Sequence, residues 1–349
     1  MAVYTHLSEK QVKNLIQASY GLNIVGVKPV AEGIENSIYK LDCDSGRSYA
    51  FIIFETLELA LVEAYCSVFE KIDVALQAKL SDLNVQVPSG VRLLDSACVH
   101  SGSKQRHFSL LVKSDDGVEK PAVLQPWIQG GHHQPDAKLC SDLGNVLGVV
   151  NSLRPAQDIE DGIPLNQHLY RIQLVEDTLA DYQEEVRARF CAFKTELKDL
   201  LSVHDQFSIG LVHGDLFADN ALMETTHLTG VIDFFNASWS PRLMDLAICL
   251  MDWCVRDGKF DENLTRSLIH GFRQKCEPIP EFDLQHWADL VRLAAFRFWC
   301  TRQEYYLACQ VRGIEPVANR EPSYCENVYN QVSEQLEFLN AVWHEPLTV

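Results

Sequence analysis

The stretch His213-Gly214-Asp215-Leu216-Phe217-Ala218-Asp219-Asn220 constrains this chain more than any other segment. It follows the apolar pair Leu211-Val212, and a second acidic element, Val231-Ile232-Asp233-Phe234, places Asp233 18 residues after Asp215. That gap suffices for a loop and a short hairpin that bring both carboxylates to one rim. An Asp followed five positions later by an Asn is the spacing of a phosphoryl-transfer loop, in which the Asp orients a hydroxyl and accepts its proton. Asn220 and Asp233 supply the hard oxygen ligands that Mg2+ takes. The tripeptide alone is weak; the ordered set Asp215, Asn220, Asp233 points to nucleotide-dependent phosphorylation. The plainer alternative, a capped turn at Asp219-Asn220 and a buried strand end at Asp233, leaves that order unexplained. His213 is expected to brace the loop by hydrogen bonding, not to act as the base.

Around this loop the chain divides into two parts. A helix is expected over 5–20, capped by Ser8 and ended by Gly21. Strands are expected over 24–30, 38–42 and 48–54, with Asp44-Ser45-Gly46 as a hairpin turn. A helix over 57–80 follows, then strand candidates at 91–94 and 108–112, and a strand over 122–130 that runs into a turn. Beyond it the apolar spacing becomes helical, over 142–153, 174–201, 242–253 and 284–306. The expected fold class is α+β: a small antiparallel β-rich N-lobe over 1–123, a hinge at 124–130, and a large, mainly helical C-lobe over 131–349 that carries the catalytic loop and acceptor pocket.

With 349 residues and 47% hydrophobic content, the chain can bury a substantial core. A net charge of −18 argues against nucleic acid or an anionic membrane as the partner. The eleven cysteines show no C-x-x-C pairing, so reduced thiols in a cytoplasmic protein are expected, with no structural metal. The opening residues carry charges instead of an apolar leader, and no segment offers eighteen unbroken apolar residues. His132-His133 reads as part of a polar loop, and oligomeric state is not legible.

The same residues carry a family resemblance. HGDLFADN, VIDFF and Asp245-Leu246-Ala247 resemble the aminoglycoside phosphotransferase and choline kinase superfamily. Within it, the chain is similar to the bacterial homoserine kinases through Glu35-Asn36-Ser37-x-Tyr39, Leu124-Gln125-Pro126, Asn236-Ala237, Asp252-Trp253-Cys254 and Arg297-Phe298-Trp299. The resemblance implies a protein-kinase-like two-lobed fold. It also implies transfer of the γ-phosphate of ATP to the side-chain hydroxyl of L-homoserine, a step of threonine biosynthesis. By the same resemblance Asp215 is the base, and Asn220 and Asp233 hold Mg2+. Glu35, Asn36 and Ser37 then lie where the phosphate-covering loop belongs, although Gly33 is its one glycine. Pro126 has no N–H, so the Gln125 carbonyl and the Trp127 amide are the natural partners of an adenine ring.

An acceptor bearing an ammonium and a carboxylate needs groups of both signs, and Arg is the best carboxylate clamp. Asn236, Asp252, Trp253, Arg297 and Trp299 are therefore the expected acceptor residues. One departure stands out: the strand over 49–54 has no lysine where protein kinases keep one for the phosphates. Lys40 sits on the preceding strand, and Glu63 and Glu70 read as solvated helix charges. Other acceptors (choline, ethanolamine, an aminoglycoside) and a non-catalytic nucleotide-binding role remain alternatives.

Overall fold

The computed structural model describes residues 4–30, 36–97, 100–101, 104–114, 117–155, 162–317 and 320–347. Helix α1 (Glu9–Tyr20) starts at a reciprocal cap: Ser8 Oγ accepts from the Gln11 amide, and the Gln11 side chain accepts from the Ser8 amide. Gly21, in the left-handed region, closes it. Strands β1 (Ile24–Pro29), β2 (Asn36–Cys43), β3 (Ser48–Phe54), β4 (Ser109–Lys113) and β5 (Glu119–Pro126) form one antiparallel sheet in the order β1-β2-β3-β5-β4.

Strict alternation in β2 buries Ser37, Tyr39, Leu41 and Cys43 toward α1, together with Phe51, Ile53 and Leu124. The other face turns Ile52, Phe54 and Val123 toward helix α2 (Leu59–Lys79) and the helical lobe. The strand expected at 91–94 does not form. Val91 and Leu93 donate single bonds to Leu124 and His107, two different segments, so no ladder can grow.

The helical lobe contains α3 (Ala137–Val150), α4 (Gln167–Asp177), α5 (Glu184–Glu196), α6 (Met244–Trp253), α7 (Glu262–Lys275) and α8 (Trp287–Arg312). The single helix expected over 174–201 is broken. The Thr178 hydroxyl donates back to the Leu174 carbonyl, and Tyr182 and Gln183 are extended. The apolar stripe itself is real, since Val175, Tyr182, Phe190, Phe193 and Leu197 are all buried. Helices α3 and α7 lie in near-backbone contact: a Cβ on Gly144 would fall 2.2 Å from the Leu268 carbonyl oxygen, and one on Gly271 2.2 Å from that of Ser141. The first half of α8 is buried on all sides, the signature of a central helix. Four short strands then set up the site: β6 (Ile209–Val212), β7 (Ala221–Glu224), β8 (His227–Val231) and β9 (Ser238–Pro241).

Candidate active site

Two short ribbons bring the motif together. Strand β6 delivers the chain to His213, and β9 returns antiparallel to it, pairing Ser238 with Val212. Between them the β7–β8 hairpin pairs Ala221 with Val231, and the Ile232 amide donates to the Asn220 carbonyl at 2.9 Å. Asn220 and Asp233 therefore leave the mouth of one hairpin, and Asp215 stands on the loop that leads into it.

Polar contacts hold this loop from below. Asp245, on α6 and fully buried, accepts from the amides of His213 (2.7 Å) and Gly214 (2.9 Å) and from the Asn151 side chain (3.0 Å). Burial pushes the Asp245 carboxyl up, and nearby His213 and these donors oppose that shift. Burial also lowers the His213 pKa. Its Nε2 faces the Ile232 carbonyl at 2.8 Å, and its Nδ1 accepts from the Asp215 amide at 3.2 Å, so the ring is the neutral Nε2–H tautomer. Packed 4.3 Å from the Phe234 ring, His213 ties the two halves of the motif together. Gly214 has φ +82°, and a Cβ there would meet the Asn236 carbonyl oxygen at 2.7 Å, so no other residue fits. Asp252 accepts from the Ala218 amide at 2.7 Å, and burial raises its pKa.

Asp215, Asn220 and Asp233 are the candidate reactive side chains. Asn220 spends its Nδ2 on the Asp215 carbonyl at 2.7 Å, so its amide oxygen is the atom left to accept or to meet a cation. Asp233 is left-handed, φ +63°, strain on the order of 1 kcal/mol for a residue with a side chain and a mark of functional turns. Arg297 Nη1 lies 4.0 Å from Asp215 Oδ1, and its guanidinium packs 3.8 Å over the Phe298 ring.

The expected nucleotide residues are placed unevenly. Glu35 lies outside the described residues. Asn36 opens β2 opposite Phe54. Ser37 is buried on the α1 side, accepting from the Tyr4 and Thr5 amides and donating to Glu55, so its hydroxyl braces the N-terminal segment. Gln125 is buried opposite Ala50. The Trp127 amide, expected to face a base, donates to the Ser48 carbonyl at 3.0 Å instead; its ring carries the Lys40 ammonium at 4.5 Å. Lys40 pairs with Ala50, and Ile52 occupies the next position on that same face.

Of the expected acceptor residues, Arg297 reaches Asp215, and Asn236 sits in the turn after Asp233. Trp253 and Trp299 are core side chains, Trp299 packing on Phe193 and Phe296. Asp252 holds loop backbone. Glu63 is not solvated, since its carboxylate accepts from the backbone of 107–109, whereas Glu70 forms an exposed pair with Arg92. Sequence reasoning quoted Asp245 as a motif residue but missed its part in the site. Its position on a helix behind two loop amides has no local spacing signal. His132 and His133 are exposed. No group of three or more His, Cys, Asp or Glu is placed to hold a metal among the described residues. None of their helices is long and apolar enough to cross a membrane.

An α+β fold with a small antiparallel sheet, a large helical lobe and this loop is protein-kinase-like, and it defines a small-molecule kinase. The phosphotransferase enzyme family matches residues 26–278, and the chain belongs to it. A homoserine kinase of Pseudomonas aeruginosa is 28% identical over 309 residues, 86% of this chain and 88% of that protein. A homoserine kinase of a Janthinobacterium species is 24% identical over 347 residues, 96% and 97% of the two chains. Among solved structures, an amicoumacin kinase in complex with AMP-PNP, Ca2+ and its ligand superposes with TM-score 0.67 at 15% identity, covering 94% of each chain. A microcompartment-associated aminopropanol kinase gives 0.62 at 18% identity, covering 98% and 100%.

Proposed function

We propose that this chain phosphorylates the side-chain hydroxyl of L-homoserine with ATP, as a cytoplasmic enzyme of threonine biosynthesis. The observation that carries the reading is Arg297, a buried guanidinium 4.0 Å from the Asp215 carboxylate and therefore suited to a carboxylate-bearing acceptor. The relatives named homoserine kinase, which match along most of the chain, support it. Asp215 orients the acceptor hydroxyl and takes its proton as the oxygen bonds to the γ-phosphorus and the bond to the ADP oxygen breaks. The nucleotide lies between the Ala50–Ile52 face of the sheet and the hairpin mouth, with residues 124–130 as the hinge. Asn220 and Asp233 offer one amide oxygen and one carboxylate, a set that fits Mg2+, which is held by few protein ligands and completed by phosphates. When bound there, Mg2+ neutralises phosphate charge.

ADP release with Mg-ATP against L-homoserine, L-serine, choline, ethanolamine and kanamycin tests the reading. Turnover with L-homoserine above the others is the expected result. Turnover with choline or kanamycin and none with homoserine would discard the acceptor while keeping the kinase.

A further inference from the structure

On the helices behind Arg297, two charged side chains make no hydrogen bond to the loop that carries Asp215. Arg297, Thr301 and Glu304 follow one another at steps of four and three on α8, so they share one helix face. Arg297 reaches Asp215; Glu304 lies two turns further along, half-buried. Arg171 comes from α4, which packs against α8. It too is half-buried, and its Nε is buried with no hydrogen-bond partner among the described residues. Its charge acts on Glu304 and on Tyr65, whose hydroxyl donates to the Ala237 carbonyl at 3.2 Å, just beyond the Asp233 turn. Burial raises the Glu304 carboxyl, while Arg171 first and Arg297 second pull it down. Arg171 and Glu304 nevertheless form no ion pair with each other. Opposite charges held half-buried on packed helices without a partner cost stability unless a bound group of matching charges completes them.

We propose that Arg171 and Glu304 determine acceptor specificity: Arg171 joins Arg297 in taking a carboxylate and Glu304 takes an ammonium, presenting a zwitterionic hydroxy amino acid to Asp215. The assignment rests on the kinase reading above and narrows it. Choline would leave Arg171 without an anion, and a polycationic sugar would meet two guanidiniums, so the same pair selects against both.

The test compares L-homoserine with its two half-charged analogues, 3-amino-1-propanol and 4-hydroxybutanoate, as acceptors for wild type, Arg171→Met, Arg171→Lys, Glu304→Gln and Glu304→Asp. The KM for ATP reports an intact nucleotide cleft. Glu304→Gln should raise the KM for homoserine roughly 10- to 100-fold and erase its preference over 4-hydroxybutanoate. Arg171→Met should do the same against 3-amino-1-propanol, and the Asp and Lys variants should recover part of each loss. Unchanged KM and selectivity in both neutral variants overturn the proposal and leave the homoserine reading standing. A wild type that prefers 3-amino-1-propanol overturns the homoserine reading and the carboxylate role of Arg171 together.

Discussion

The candidate catalytic loop and the sheet face that carries Lys40 are built by opposite means. In the loop, backbone amides of His213, Gly214 and Ala218 each have a carboxylate partner, and Asn220 is clamped to Asp215. On the sheet, the face shared with Lys40 continues through Ala50 and Ile52, and the ammonium it offers lies over Trp127 at 4.5 Å. One region fixes charge geometry through buried hydrogen bonds; the other offers a smooth apolar surface and one long, adaptable cation. On the proposed function, chemistry requires the first and nucleotide binding tolerates the second. An aromatic cluster joins them: Phe235 packs on Phe54 at 4.5 Å and on Phe69 at 5.3 Å.

The largest expected effect separates the reacting group from its support. Asp215→Asn should lower kcat by about three orders of magnitude with no change in melting temperature. Asp245→Ala should lose activity and also about 3 kcal/mol of stability, because three buried donors lose their acceptor. Steady-state kinetics and thermal melts on the two variants read the contrast. If Asp215→Asn turned over at the wild-type rate, the loop would not be the chemical centre.

A smaller effect is expected on the sheet. Lys40→Ala should raise the KM for ATP several-fold, about the worth of a desolvated cation–π contact, and leave kcat within a factor of two. A kcat loss matching that of Asp215→Asn would make Lys40 the phosphate partner and end the distinction between the regions.

The same contrast explains what the sequence could reveal. The loop was readable because Asp215, Asn220 and Asp233 are close in sequence and fixed in spacing by one hairpin. The β-rich lobe was readable because β2 alternates strictly and Ser8 and Gly21 bracket α1. Glu63 and Asp245 were opaque for one reason: each acts on a segment distant in the chain, and no local period encodes such a contact. The break at Thr178 was hidden because Val175 to Leu197 keeps a helical stripe across it, and periodicity reports which residues are buried, not where the backbone is interrupted. Trp253 and Trp299 were overread, since a motif match does not distinguish a core aromatic from a pocket wall.

The smallest effect lies in the helical lobe, at a buried pair of histidines. His168 and His204 meet Nε2 to Nε2 at 2.9 Å, one donating and the other accepting, and both are buried. Burial lowers the pKa of each below the ordinary 6.5. Above about pH 6.5 the folded and unfolded chains both keep these rings neutral, so the pair carries no penalty. As pH falls below that value the unfolded chain takes up protons that the folded one refuses, and stability is lost through the window extending down from 6.5. Each ring contributes a slope of at most about 1.4 kcal/mol per pH unit. Thermal melts from pH 8 to 5.5 should show this decline, and His168→Phe should flatten it. Part of the slope should survive in that variant, because burial lowers His213 in the same direction. An equal slope in wild type and variant would mean that the pair accepts a proton in place, and the helical lobe would then be as adaptable as the sheet.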